Sequence, residues 1–381
     1  MPFTYKEEKN KNATQRVDEM LEYMPKFCTS YVHARERSVS PLTLLAYMQR
    51  IKIFFRYLHN DNSYFRNKPI SEITLDDMSL LKTDDIEDFT HWIFKQQVDD
   101  PNHSNKSSTV DNYLSALNSF WSYFCRTEKL SYNPVANVER GNKQPHEVIR
   151  LNNQQADGFI ESIVDGKGLT KRQKQSHDKN QNVIVRDRAI CMLFLDTGLR
   201  VSELVGLNVD DVSLDQKCVR VLRKRSKVDD VYMSDTVTEI LKDYIVNYRN
   251  TFHPVDNEEA LFLVGIGKYK GERLGVRSVQ KMVKKYAKAG AGIVGPSITP
   301  HKLRATYATN ALRATNGNLE YVRETMAHSS ANTTLLYTQT SELDKQKFRG
   351  VIFDGPDSDL VNREKALEDA LELLKKEKKS N

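Results

Sequence analysis

Cysteine is scarce in this sequence, and its placement excludes more than its number does. Cys28, Cys125, Cys191 and Cys218 stand far apart, with no C-x-x-C and no histidine at zinc-finger spacing. Neither a disulfide framework nor a structural zinc site is encoded, and the four read as buried thiols of a reducing compartment. Long apolar runs are missing as well. AICMLFL, residues 189–195, falls far short of the roughly 20 residues a membrane helix needs. The opening MPFTYKEEKNKNATQR lacks the apolar stretch of an export signal. The expected location is the cytoplasm, with no membrane partner. With 16 Gly and 11 Pro in 381 residues, collagen-like and low-complexity classes are excluded. Charge of one sign is not dominant either: 57 Lys and Arg against 51 Asp and Glu leave a net +6, which permits a polyanionic partner without requiring one.

What is present suggests two domains. Apolar positions recur three and four apart over 14–33 and 41–59; in the latter Leu44, Tyr47, Ile51, Phe54, Phe55 and Leu58 form one stripe, with Ser40-Pro41 as its start. Helices are also expected over 83–97, opened by the acidic TDDIED, and over 109–126. Residues 1–130 therefore read as an all-helical domain. The polar stretch 131–150, which holds two prolines, reads as a linker. The second half, 151–355, is mixed. Helices are expected at 152–164, 185–197, 201–207, 236–248, 276–289, 299–314 and 319–327. GKGLTKRQKQSHDKNQN, residues 166–182, has almost no apolar residue and reads as a mobile loop. CVRVLRKRSKVDDVYM, residues 218–233, alternates apolar and basic residues about a turn near Ser226, which predicts a hairpin with a basic face. In the tail, 356–381, Leu360, Leu367, Leu371 and Leu374 make a narrow stripe on a charged helix that needs a groove, on its own protomer or on a neighbour.

Three strings carry chemistry: DTGLRVSEL around Arg200, ITPHKLRATYAT around His301 and Arg304, and MAHSSANTTLLYTQ around His328 and Tyr337. Each has an ordinary reading alone. An arginine at a helix start is commonly a surface or capping residue. A His-x-x-Arg pair shares a helix face that suits solvent as well as phosphate. A tyrosine in LLYTQ is by default a core aromatic.

Their order changes the reading. Arginine, basic hairpin, His-x-x-Arg, Ala-His and a tyrosine nine residues later resemble the tyrosine recombinases, the family of phage integrases and of Xer-type and Cre-type enzymes, over essentially the whole chain. The resemblance implies a mainly α fold with a small β component. It comprises an all-helical, SAM-like core-binding domain and a mixed α/β catalytic domain, joined into a C-shaped clamp on double-stranded DNA. It also implies four protomers acting together on DNA, as a homo-tetramer assembled from monomers or weak oligomers, with a C-terminal segment of each packing on its neighbour.

The chemistry explains the residue types. A phenol attacking phosphorus leaves a 3′-phosphotyrosyl bond and a free 5′-hydroxyl, so neither metal, ATP nor other cofactor is required. Ionising a free tyrosine at pH 7 costs roughly 4 kcal/mol unless its proton is taken as the bond forms. Guanidinium groups suit the negative charge that builds on the non-bridging oxygens. Residue by residue, the resemblance makes Tyr337 the nucleophile, preferred over Tyr307 and Tyr321. Arg200 and Arg304 become the phosphate clamp, His301 the base and His328 a phosphate hydrogen-bond donor. The hairpin lysine that protonates the leaving 5′-oxygen falls at Lys224, or at Lys227 if the turn shifts. The family commonly has glycine on both sides of that lysine, where this chain has Arg223 and Arg225. Glu203 would orient catalytic side chains, or form a simple ion pair. Arg223, Arg225, Lys227, Arg277, Lys281, Lys284 and Lys285 are the remaining candidates for DNA phosphates.

The expected function is site-specific recombination for a mobile element, since the polar stretches 98–108 and 166–182 exceed a minimal two-domain enzyme. Alternatives are Xer-type resolution of chromosome or plasmid dimers, a type IB topoisomerase, and a catalytically silent DNA-binding accessory protein.

Overall fold

In the computed structural model the described residues are 5–96, 107–141, 150–223, 227–290 and 298–327. The chain forms two compact units, 1–146 and 147–381. Together they are mainly α-helical with one small sheet, as expected.

The first unit contains α1 (Tyr5–Leu21), α2 (Cys28–Glu36), α3 (Pro41–Asn60), α4 (Leu75–Leu80), α5 (Thr83–Gln96) and α6 (Ser107–Arg126). The single helix expected over 14–33 is two, because Pro25 falls between α1 and α2 and cannot donate to a continuing ladder. The short α4 was not legible from apolar spacing; it depends on a reciprocal cap between Thr74 and Asp77. Ser40 caps α3 by accepting the Thr43 N–H, with Pro41 at the first turn. The core is aromatic. Phe54 packs edge-on against Phe89 at 5.0 Å and Trp121 at 5.4 Å between ring centroids. Part of the expected linker belongs to this core: Val135 and Val138 are buried in it, and the Asn133 amide donates to Asn118 and Ser122 on α6.

The second unit contains α7 (Asn153–Val164), α8 (Lys171–Asp178), α9 (Gln181–Thr197) and α10 (Val201–Gly206). Next come β1 (Val212–Ser213), β2 (Cys218–Leu222) and β3 (Val228–Tyr232), then α11 (Asp235–Asp243), α12 (Val276–Gly290), α13 (Pro300–Ala314) and α14 (Leu319–Thr325). The three strands are antiparallel in the order β1-β2-β3, with Val212 opposite Val219 and Leu222 opposite Val228. The helix expected to run to Tyr248 leaves α geometry at Tyr244 for a π-helical turn.

The 166–182 stretch is not the loop expected. It holds α8, started by a reciprocal cap between Thr170 and Gln173 and anchored by buried His177, whose Nε2 lies 2.9 Å from the Ile163 carbonyl. A polar helix secured by a cap and one buried contact leaves no apolar periodicity to read. Irregular chain between α11 and α12 is held by buried arginines. Arg249 donates to the Glu258 and Ala260 carbonyls and Arg186 to that of Leu263. Among the described residues no helix is long and apolar enough to cross a membrane.

The aromatic core of the first unit sets its stability. Phe54→Ala should cost about 3–5 kcal/mol, measured by urea denaturation of the purified protein.

Candidate active site

The site is built where α9 ends. Gly198 closes that helix in the left-handed region, φ 61° and ψ 24°, the backbone conformation glycine adopts without penalty. Glycine is needed a second time over: a Cβ there would lie 2.3 Å from Cδ1 of the Tyr307 ring. The turn buries Leu199 and sets Arg200 at the N-cap of α10.

Glu203, three residues on, turns its buried carboxylate back. One oxygen accepts the Arg200 backbone N–H at 2.8 Å and the other accepts Nη1 of the Arg200 side chain at 2.8 Å. Arg200 therefore has its backbone and its guanidinium held by one carboxylate. Its side chain remains 37% exposed, so the guanidinium is restrained yet open to a ligand.

α13 brings in the second string. His301 and Arg304 are one turn apart, and Arg304 is only 2% exposed. Its Nη1 donates to the Gly198 carbonyl and its Nη2 to that of Met326. Arg200 Nη2 donates to the next carbonyl, Ala327, at 3.1 Å. Arg223 Nη2 donates to the preceding one, Thr325, at 3.0 Å. Three guanidiniums thus hold three consecutive carbonyls where α14 ends, carbonyls that a helix terminus leaves without internal partners. Ala327 adopts φ +46°, left-handed geometry that costs an L-residue roughly 1–2 kcal/mol. His328 is the next residue in the chain.

His301 keeps an open edge to solvent, yet its pKa is held below the ordinary 6.5. Crowding by protein around the ring is the main cause, followed by the positive charges of Arg304, Lys302 and Arg200. At neutral pH the imidazole is the free base, suited to accept a proton. Tyr307 is a poor nucleophile. Its phenol is pushed up to about 12, first by burial and then by Tyr321 and Asp196, and its ring lies under Gly198.

The structure brings Arg200, Glu203, His301 and Arg304 together. Tyr337, His328, Lys224 and Arg225 lie outside the described residues, as does the leucine stripe of the tail. Of the candidate DNA contacts, Lys227, Arg277, Lys281 and Lys284 are exposed. The last three share one face of α12 at i, i+4 and i+7, a face that Lys288 extends by one more turn.

Two candidates do not fit a phosphate-facing position. The Lys285 ammonium lies 3.7 Å from the centroid of the Tyr286 ring, and its pKa is lowered, chiefly by burial. Arg223 is 3% exposed, with its guanidinium committed to Asp229, Glu203 and Thr325. Nor is the hairpin face simply basic: Arg220 pairs with Asp230 at 3.0 Å and Lys217 with Asp235 at 2.6 Å. The VDDVY strand brings carboxylates opposite the cations, a pairing visible only once the register is known.

Residues 169–343 match the Phage integrase family. A tyrosine recombinase XerS from Streptococcus mutans serotype c is 29% identical over 358 residues, covering 87% of this chain and 96% of the relative. The chain belongs to the tyrosine recombinase, or phage integrase, family. A tyrosine recombinase XerC from Caldanaerobacter subterraneus subsp. tengcongensis is 28% identical over 334 residues, 85% of each chain. Among solved structures, the recombinase shares its fold with XerH bound to palindromic difH substrate, with a TM-score of 0.58 and 20% identity over 83% of this chain and 81% of that one. It shares it equally with the Tn1549 transposon integrase in complex with circular intermediate DNA: 0.57 and 20%, over 84% and 98%.

Gly198→Ala should destabilise the recombinase by about 1–3 kcal/mol, because the new methyl group must displace the Tyr307 ring as well as tolerate a positive φ. Thermal unfolding of the two proteins side by side measures it.

Proposed function

We propose that this tyrosine recombinase, whose activity is site-specific DNA strand exchange, is of the Xer type, resolving joined copies of a replicon at one short duplex site. The observation that carries the chemistry is the convergence of Arg200, Arg304 and neutral His301 on the turn that leads into His328. Support for the Xer reading comes from XerC and XerS, relatives that the chain matches over 85% and 96% of their length. A mobile-element role was expected from extra length, but the 166–182 stretch is a capped helix of the catalytic unit, and XerS is matched almost end to end. The division of labour between a DNA-gripping first unit and a catalytic second unit, and the assembly of four protomers on two sites, belong to this reading.

The Tyr337 oxygen attacks phosphorus while its proton passes to His301. The bond from phosphorus to the 5′-oxygen breaks, and Lys224 supplies the proton that the departing oxygen needs. Arg200, restrained by Glu203, and Arg304, buried and little screened by water, stabilise charge on the non-bridging oxygens. His328 adds a hydrogen bond. In the reverse sense a 5′-hydroxyl attacks the phosphotyrosine and rejoins the strands, so the bond energy is retained throughout. Exposed Arg277, Lys281, Lys284 and Lys288 supply sequence-independent phosphate contacts.

Tyr337→Phe should bind DNA as the parent does and form no covalent adduct on a nicked suicide substrate, whereas Tyr307→Phe should still form it. An adduct in the first variant and none in the second would reverse the assignment. Because the His301 pKa lies below 6.5, the base form survives mild acid, and activity is lost as pH falls through that lowered value. Single-turnover cleavage between about pH 5 and 8 should therefore decline only at a lower pH than an ordinary imidazole of pKa about 6.5 would give. Mapping covalent attachment on host chromosomal fragments tests the Xer reading. One chromosomal site recombining with its own copy supports it, and attachment only at the ends of a mobile element overturns it.

A further inference from the structure

Arg223 stands where the family commonly has glycine, and it is buried. Its backbone N–H closes the β2–β3 turn on the Lys227 carbonyl at 2.7 Å. Its side chain reaches in three directions. Nε donates to Asp229 across the hairpin at 3.1 Å, Nη1 lies 3.5 Å from the Glu203 carboxylate that holds Arg200, and Nη2 donates to the Thr325 carbonyl at 3.0 Å. The base of the hairpin is thereby tied both to the arginine centre and to the turn entering His328. Glycine, with no side chain, makes none of these bonds. A buried guanidinium carries a large desolvation cost unless its donors are satisfied in a fixed geometry, and here that geometry ends one peptide bond from Lys224.

We propose that Arg223 is a positioning residue. It locks the base of the hairpin against Glu203 and Thr325, so that the lysine that follows meets the 5′-oxygen in a set geometry relative to Arg200. The inference rests on the reading of Lys224 as proton donor, and proton transfer is sensitive to placement: an error of about 1 Å can cost on the order of 100-fold in rate.

The test compares single-turnover cleavage of two suicide substrates, one with the ordinary phosphodiester and one with sulfur replacing the bridging 5′-oxygen. A thiol of pKa about 8.5 leaves without a proton, so a defect confined to proton donation disappears on the sulfur substrate. Arg223→Lys and Arg223→Gln should cleave the ordinary substrate about 10–100-fold more slowly. On the sulfur substrate they should come within about threefold of the parent, with DNA affinity and its salt dependence unchanged. Asp229→Asn, a milder change that keeps the arginine, should show a smaller loss with the same rescue, and carries the test if Arg223→Gln does not fold.

Equal slowing on both substrates, or an unaltered rate on both, overturns the inference. A weaker, less salt-dependent DNA affinity would instead make Arg223 a phosphate contact and overturn it too. Lys224→Ala is the control. If the sulfur substrate fails to rescue Lys224→Ala, the lysine reading itself is wrong; if it rescues Lys224→Ala but not the Arg223 variants, only the positioning role falls.

Discussion

Three guanidiniums on three consecutive carbonyls hold the catalytic unit's chemistry in place. Arg223, Arg304 and Arg200 take the carbonyls of Thr325, Met326 and Ala327 in turn, and the three arginines come from three separate segments: the residue after β2, the second turn of α13 and the start of α10. A helix C-terminus presents unpaired carbonyls and partial negative charge, and cations are favoured there. The same contacts that finish α14 therefore assemble the cationic centre. The αL turn at Ala327 is strain sustained by that grip, and it directs the chain into the segment carrying His328 and Tyr337.

The cations need a counterweight. Glu203 supplies it from within α10, accepting from the backbone and side chain of Arg200 and facing Arg223. Removing charged groups from water is costly unless they are paired and hydrogen-bonded, and both conditions are met. The result is a fixed pair of guanidiniums, with Arg200 as its open member and Arg304 as its buried one. The same accumulation of positive charge adds to burial in favouring the neutral state of His301, which leaves a free imidazole beside the two guanidiniums.

Much of this was legible in the sequence, and the residues show why. The long amphipathic helices α3, α5 and α6 announced themselves through spacing, because a buried stripe imposes its period on the side chains. Arg200, His301 and Arg304 could be named because the order of their strings is rarely met by chance. The misreadings fall where local chemistry replaces periodicity. α8 depends on a Thr-x-x-Gln cap and one buried histidine; α4 depends on a Thr-Asp cap. The basic hairpin was counted residue by residue, yet its strand register sets Asp230 against Arg220 and Asp229 within reach of Arg223. Val135 and Val138 were taken for linker because short apolar residues among polar ones show no period, although each finds a place in the first core.

Composition and pattern by themselves determined the class of the molecule: a cysteine-poor, mainly helical, two-unit chain carrying the arginines, histidines and tyrosine of a recombinase in order. Those properties are carried by residue types and by spacings along the chain. Tertiary structure alone decided which cations are left on the surface and which are spent inside. Arg223 and Lys285 look like their neighbours Lys227 and Lys284 in a string of letters. Burial and partners a hundred residues away, such as the Thr325 carbonyl, separate them, because the cost of a buried charge depends on what surrounds it in three dimensions.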